Sequence, residues 1–175
     1  MAANGFLELL RLARQGDKHQ QAIADSVNRW SGIAFELQEQ SFVVPLGEVA
    51  EVMYCPSLTP VPKGESWLKG LSNIRGQLLT VVDLTEYLLN KPTKRTRQQK
   101  ILCLQHHDHY IGLMVDEVTG LQHFNKQSFF SRNSKLNTSV EKYCSGYFDY
   151  DQKTWNVFLF SKLIKDFRQI TTALS

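Results

Sequence analysis

The sequence predicts a mainly β protein assembled from small barrels, and three observations carry that prediction. Apolar residues alternate in short runs set close together, such as Ile33, Phe35 and Leu37, then Phe42 to Leu46, then Tyr110 to Val115. A period of two puts side chains on alternate strand faces, and strands this short, broken by Gly and Pro turns, suit a small barrel. The chain also echoes itself. Phe42 to Leu46 corresponds to Tyr110 to Met114, and Val49-Ala-Glu-Val52 to Val115-Asp-Glu-Val118, while Thr80 to Leu89 and Val157 to Phe167 each read as strand then helix. That repetition implies two similar barrels. Finally, Arg75-Gly76 lies between two short apolar runs, and Gly76 tolerates positive φ, so the pair suits the reversal of a hairpin.

Length and composition bound the rest. A chain of 175 residues suits one domain or two small lobes sharing a core. Hydrophobic residues at 42% and charged residues at 21% describe an ordinary soluble globule. The net charge of +3 is too small to argue for nucleic acid, and its source is local: Lys91, Lys94, Arg95, Arg97 and Lys100 hold five positive charges with no acid between them, leaving −2 elsewhere. This stretch lacks the interleaved aromatics of a nucleic-acid or anionic-membrane patch and reads as a solvated linker. Cys55, Cys103 and Cys144 form no CxxC and no disulfide framework, which fits a reducing compartment. The apolar stretch Phe6 to Ala13 is interrupted by Glu8 and Arg11, unlike a signal peptide, and no window approaches a membrane span. A cytoplasmic protein without direct membrane insertion is expected.

Residues 1–32 read as a helical lead. Phe6, Leu9, Leu10 and Ala13, then Ile23, Ala24 and Val27, fall at helical spacing, with a break at Gly16-Asp17. The lead is expected to pack on its own domain, a docking helix for a partner being the alternative. From Ile33 the period becomes strand-like. Gln38 to Ser41 makes a turn, Phe42 to Leu46 follows, and Gly47-Glu48 turns again into Val49 to Tyr54. Pro56, Pro60 and Pro62 hold an extended crossing segment. After the Arg75-Gly76 reversal, Leu79 and Val81 share one face while Leu78, Thr80 and Val82 share the other, which reads as a strand buried on both sides. Asp83 is placed to N-cap a short helix, Leu84 to Asn90. Arg75 is thus a long cation at the tip of a rigid element, where binding residues tend to sit.

The second half repeats this. Lys100 to Leu104 is a strand, His106 to His109 a turn, Tyr110 to Val115 the return, and Asp116 to Phe124 continues with a bend at Gly120. Residues 125–140 read as a long polar loop. Tyr143 to Phe148 pairs with Thr154 to Leu159, and Phe160 to Ala173 closes the chain as a helix with Leu163, Ile164, Phe167 and Ile170 on one face.

Positive signs of catalysis are missing. There is no phosphate loop, dinucleotide fingerprint, nucleophile elbow or HExxH, and no acid–base pair is placed by spacing, so neither an enzyme nor a cofactor is expected. His106-His-Asp-His109 is the one cluster rich in metal ligands. Alternate side chains of a strand-ended turn point to opposite faces and cannot converge on one ion, so no metal is expected.

The segment Gly70-Leu-Ser-Asn-Ile-Arg-Gly-Gln-Leu-Leu-Thr-Val-Val-Asp-Leu84 resembles the signature of the CheW-like domain, the adaptor of bacterial chemosensory arrays. The match continues in Phe35-Glu-Leu, Val49-Ala-Glu-Val52, Leu58-Thr-Pro-Val-Pro62, Gly112-Leu-Met-Val-Asp116, Gly146 and Leu159, and covers about 33–165. With its long lead, the chain is similar to the CheW-like proteins of type IV pilus (twitching motility) systems. Two departures stand out: Thr80 replaces a usual proline, and 125–140 is unusually polar. The resemblance implies two interlocked five-stranded SH3-like β-barrel subdomains within a single domain at 33–170. Subdomain 1 is expected at about 41–106, subdomain 2 at about 34–40 plus 107–160, and the C-terminal helix at 160–173. It implies a non-enzymatic scaffold that couples the cytoplasmic tip of a methyl-accepting chemoreceptor to the regulatory domain of a CheA-type histidine kinase. Val49, Glu51 and Arg75 match positions implicated in receptor or kinase contact, with Gly76 beside Arg75. A same-fold module that sequesters or modulates the kinase, and a β-barrel that binds single-stranded nucleic acid through 91–100, are the alternatives.

Overall fold

The alternation at Ile33, Phe35 and Leu37 belongs to a strand that starts earlier, β1 (Arg29–Leu37), so the helical lead does not extend to residue 32. A computed structural model describes residues 28–173 except 92, 94, 95, 107, 108 and 132–134, with side chains through 167; the expected helices at 5–27 lie outside the described residues. After β1 come β2 (Gln40–Pro45), a 3₁₀ turn at Leu46–Glu48, β3 (Glu51–Tyr54), β4 (Leu68–Ile74), β5 (Gln77–Asp83) and helix α1 (Leu84–Leu89). The second half supplies β6 (Lys100–His106), β7 (His109–Val115), β8 (Glu117–Asn125), the two-residue β9 (Phe129–Phe130) and helix α2 (Thr138–Glu141). The chain then forms β10 (Cys144–Tyr150), β11 (Lys153–Phe158) and helix α3 (Phe160–Ala173).

These strands form two sheets, one ordered β3-β6-β7-β5-β4 and the other β8-β1-β2-β11-β10-β9. The echo in the sequence is a real structural repeat. In each sheet an antiparallel hairpin (β6–β7 or β1–β2) pairs in parallel with a strand (β5 or β11) that runs into a helix, and that strand returns from an antiparallel neighbour (β4 or β10). The second sheet is a circular permutation of the first, because β1 and β2 come from the start of the chain. Such a permutation is what interlocks the two subdomains. The expected boundaries shift accordingly: β2 lies in the second sheet, not in subdomain 1, and β7 lies in the first sheet, not in subdomain 2.

Burial explains why strands of both sheets are apolar on both faces. Leu79, Val81, Ile101, Cys103, Tyr110 and Met114 fill a core within the first sheet, and Ala34, Val43, Phe124, Phe148, Trp155 and Val157 fill one within the second. The alternate residues, among them Phe35, Phe42, Phe158, Val82, Leu102 and Leu113, meet in a larger core between the sheets that also takes Leu84, Leu88 and Leu163 from the helices. Leu78 is the exception to the expectation of a strand buried on both sides. It stands one residue past the hairpin's first strand position, beyond the reach of the shared core, and is 60% exposed.

Hairpins are closed by two-residue turns with both φ angles positive: Gln38-Glu39, Arg75-Gly76 and Asp151-Gln152. This backbone matches the right-handed twist of the strands it joins. Gly70 and Gly146 occupy equivalent bulges in β4 and β10. The span 125–140 is more ordered than a loop, since β9 pairs with β10 and Asn137 caps α2 through its side chain. Among the described residues, no helix is long and apolar enough to cross a membrane.

Candidate partner-binding site

The hairpin β4–β5 is held in register by Ile74 opposite Gln77, which leaves Arg75 and Gly76 as the whole loop. The Asn73 side chain accepts from the Gly76 N–H at 2.9 Å and rigidifies the turn. At φ 52° Arg75 has left-handed backbone, unusual for a side chain with a Cβ. Its guanidinium is 78% exposed, yet its position is defined. Nη2 donates to Glu51 Oε1 at 3.0 Å and Nη1 to Oε2 at 3.4 Å, a two-pronged pair between the tip and the start of edge strand β3.

Glu51 is anchored from below. The Tyr110 hydroxyl, rising out of the first-sheet core, donates to Oε2 at 3.3 Å. Burial pushes the Tyr110 phenol well above its ordinary range, with Cys103 and Glu51 adding to the shift, so this donor keeps its proton at neutral pH. Burial likewise raises the Cys103 thiol. The result is a relay from core to surface in which Tyr110 orients Glu51 and Glu51 orients Arg75. Around it stand apolar side chains open to solvent: Leu78 just past the turn, and Val52 and Tyr54 on β3. The Lys100 ammonium sits 3.0 Å from the Tyr54 ring centroid, so this end of the basic segment is held against β3.

Three of the four residues expected to bind a partner therefore come together: Arg75, Gly76 and Glu51. Val49 does not join them; it is half-buried and packs against the shared core. Its segment is fixed instead by Glu48, whose carboxylate accepts from Phe160 N–H at 2.6 Å and the Ser161 hydroxyl at 2.8 Å at the start of α3. The sequence gave no sign of Glu48 as a cap 112 residues away in the chain. Tyr110 as a support for Glu51 was also missed. Its alternation with Gly112 and Met114 marks it as inward-facing, but only the register of β6 and β7 brings its hydroxyl beneath Glu51. At the other end of that hairpin His106 pairs with His109, while residues 107 and 108 lie outside the described residues. Among the described residues no three His, Cys, Asp or Glu side chains converge as metal ligands would.

Two permuted β sheets on a shared core, with an oriented cation among exposed apolar side chains, define a protein-binding module. The CheW-like domain model matches residues 31–168, and the chain belongs to that family. Protein PilI of Pseudomonas aeruginosa is 37% identical over 134 residues, covering 77% of this chain and 75% of PilI. Chemotaxis protein CheW of Thermotoga maritima is 27% identical over 99 residues, covering 57% of this chain and 65% of that one. Among solved structures, scaffolding protein TtCheW from Thermoanaerobacter tengcongensis superposes with a TM-score of 0.65 at 21% identity, covering 74% of this chain and 88% of that one, and so shares the fold.

Proposed function

We propose that this chain is a non-enzymatic adaptor that couples a chemoreceptor to a CheA-type histidine kinase in a chemosensory system controlling type IV pilus twitching. Membership of the CheW-like family carries this reading, and the likeness to PilI over three quarters of both chains supports the pilus branch of it. The Arg75 tip supplies the chemistry. A planar guanidinium held by Glu51 can present its remaining N–H donors to a carboxylate or amide oxygen on a receptor helix, and Leu78 and Val52 offer apolar contact beside it. The adaptor acts by stoichiometry: holding both partners raises their effective concentration and fixes their geometry, so a change in the receptor biases the kinase.

The test is reconstitution of the protein with a receptor-tip fragment and the kinase regulatory domain, resolved by size-exclusion chromatography with light scattering. A complex containing all three is expected. Recovery of only one binary complex at saturating concentrations would overturn the coupling role. Binding to single-stranded nucleic acid that weakens steeply with salt would favour the other class of function.

A further inference from the structure

The second sheet has an apolar groove on which the proposed adaptor function makes no demand. Its volume is about 300 Å³ and its walls include Trp30, Pro45, Phe129, Phe148, Val157 and Leu159. The floor is an aromatic stack, with Phe124 against Phe148 at 4.6 Å and Trp30 against Phe148 at 5.2 Å between centroids. Phe129 and its neighbour Phe130 are both exposed on the short edge strand β9. This groove is the open mouth of the small second-sheet core, which has few other residues to cover it.

We propose that residues 5–13 of the same chain seat their apolar stripe in this groove and close the second-sheet core. Two observations point to this occupant. Residues 1–27 lead directly into β1, whose second residue, Trp30, is itself a wall of the groove, so the segment is tethered at the site. Its Phe6, Leu9, Leu10 and Ala13 follow the i, i+3, i+4, i+7 spacing of one helical face. A helix this short is marginal alone in water and forms when an apolar surface receives that face. Tethering makes docking intramolecular, and closing a loop of this length costs little beyond closing a shorter one. The other exposed apolar residues, Val52, Tyr54 and Leu78, lie on the first sheet.

Disulfide trapping in the full chain tests this. In a Cys55→Ser background, Leu10→Cys is combined with Phe129→Cys, or with Leu78→Cys as the control on the first sheet, and oxidised at low protein concentration. The groove pair is expected to form an intrachain bond several-fold faster than the control. Leu10→Cys with Ser145→Cys, on another wall of the groove, repeats the test in case Phe129→Cys perturbs β9. A Leu9→Glu, Leu10→Glu variant is expected to bind a hydrophobic dye several-fold more strongly while its unfolding stays cooperative. Equal trapping of groove and control pairs would overturn the proposal. So would bonds formed only between chains, which would assign the groove to a second copy.

Discussion

At Arg75 the backbone and the side chain make opposite demands. A positive φ costs a residue with a Cβ about 1 kcal/mol, and Asn or Gly would carry the turn at less cost. Arginine here is explained by what its guanidinium does, and two substitutions separate the effects. Arg75→Ala keeps the same backbone strain and removes an exposed ion pair, so stability should change by no more than about 0.5 kcal/mol. Arg75→Asn should be equally or slightly more stable. Both should weaken binding to a receptor-tip fragment by about 10- to 30-fold, the scale of a lost charged hydrogen bond, and Arg75→Lys should recover part of it. Thermal unfolding and titration calorimetry read the two effects separately. Full affinity in folded Arg75→Ala would show that the residue is not a contact. The cysteines give a second expectation at this scale. Burial raises the Cys103 thiol and pushes Cys144 up to about 12, whereas Cys55 is exposed. An aromatic disulfide reagent at neutral pH should therefore titrate one thiol in the native protein and three after denaturation.

Among the elements, α1 depends most on one residue. Asp83 is buried, and its Oδ1 accepts from Glu86 N–H at 3.0 Å and from the Thr93 hydroxyl at 2.7 Å, with Lys69 at 3.7 Å from Oδ2. Asp83→Ala strands these donors and should cost about 2 to 3 kcal/mol, read by denaturant unfolding. Asp83→Asn should cost less, because its amide oxygen can still cap. An unchanged midpoint in Asp83→Ala would mean that the helix is held by packing alone. This cap was legible in the sequence, as was the Arg75-Gly76 turn, because both are decided by residues within a few positions of one another. The repeat was legible for the same reason: each half carries the same local pattern. The sheet to which β2 belongs was not, since its partner β11 lies over a hundred residues on and the choice rests on packing between distant strands. The site was legible as separate residues but not as a relay. Glu51 and Arg75 could each be named, but their pairing and the support from Tyr110 require the sheet to be assembled first. Exposure of Leu78 escaped because alternation says which face a residue takes and not where the opposing surface ends.

The whole molecule is held together across the seam between its sheets. Helix α1 follows a strand of the first sheet and α3 a strand of the second, and they meet where Tyr87 packs on Phe167 at 4.7 Å and on Trp67 at 5.1 Å. With one core shared by both sheets, neither can unfold without exposing the other's apolar face, so thermal unfolding should be a single transition by both aromatic and backbone signals. Acid should act at this seam. The Lys69 ammonium bonded to Glu86 holds that carboxyl below its ordinary range. Asp166 is lowered first by the Tyr143 hydroxyl, which donates to it at 2.6 Å, and then by Lys142 at 3.0 Å. Burial and the bond to Asp166 in turn push Tyr143 up to about 12, so it stays a donor throughout. A carboxylate depressed on folding stabilises the native state above its unfolded pKa, near 4. That contribution is lost as the pH falls through the folded value. The Tm should be nearly level from neutrality to about pH 5 and fall steeply below about pH 4. A Glu86→Gln, Asp166→Asn double variant should melt lower at neutral pH and lose part of the acid slope. If its slope equals that of the parent, the acid sensitivity lies elsewhere; if the melt splits in two, the sheets do not depend on each other through the shared core.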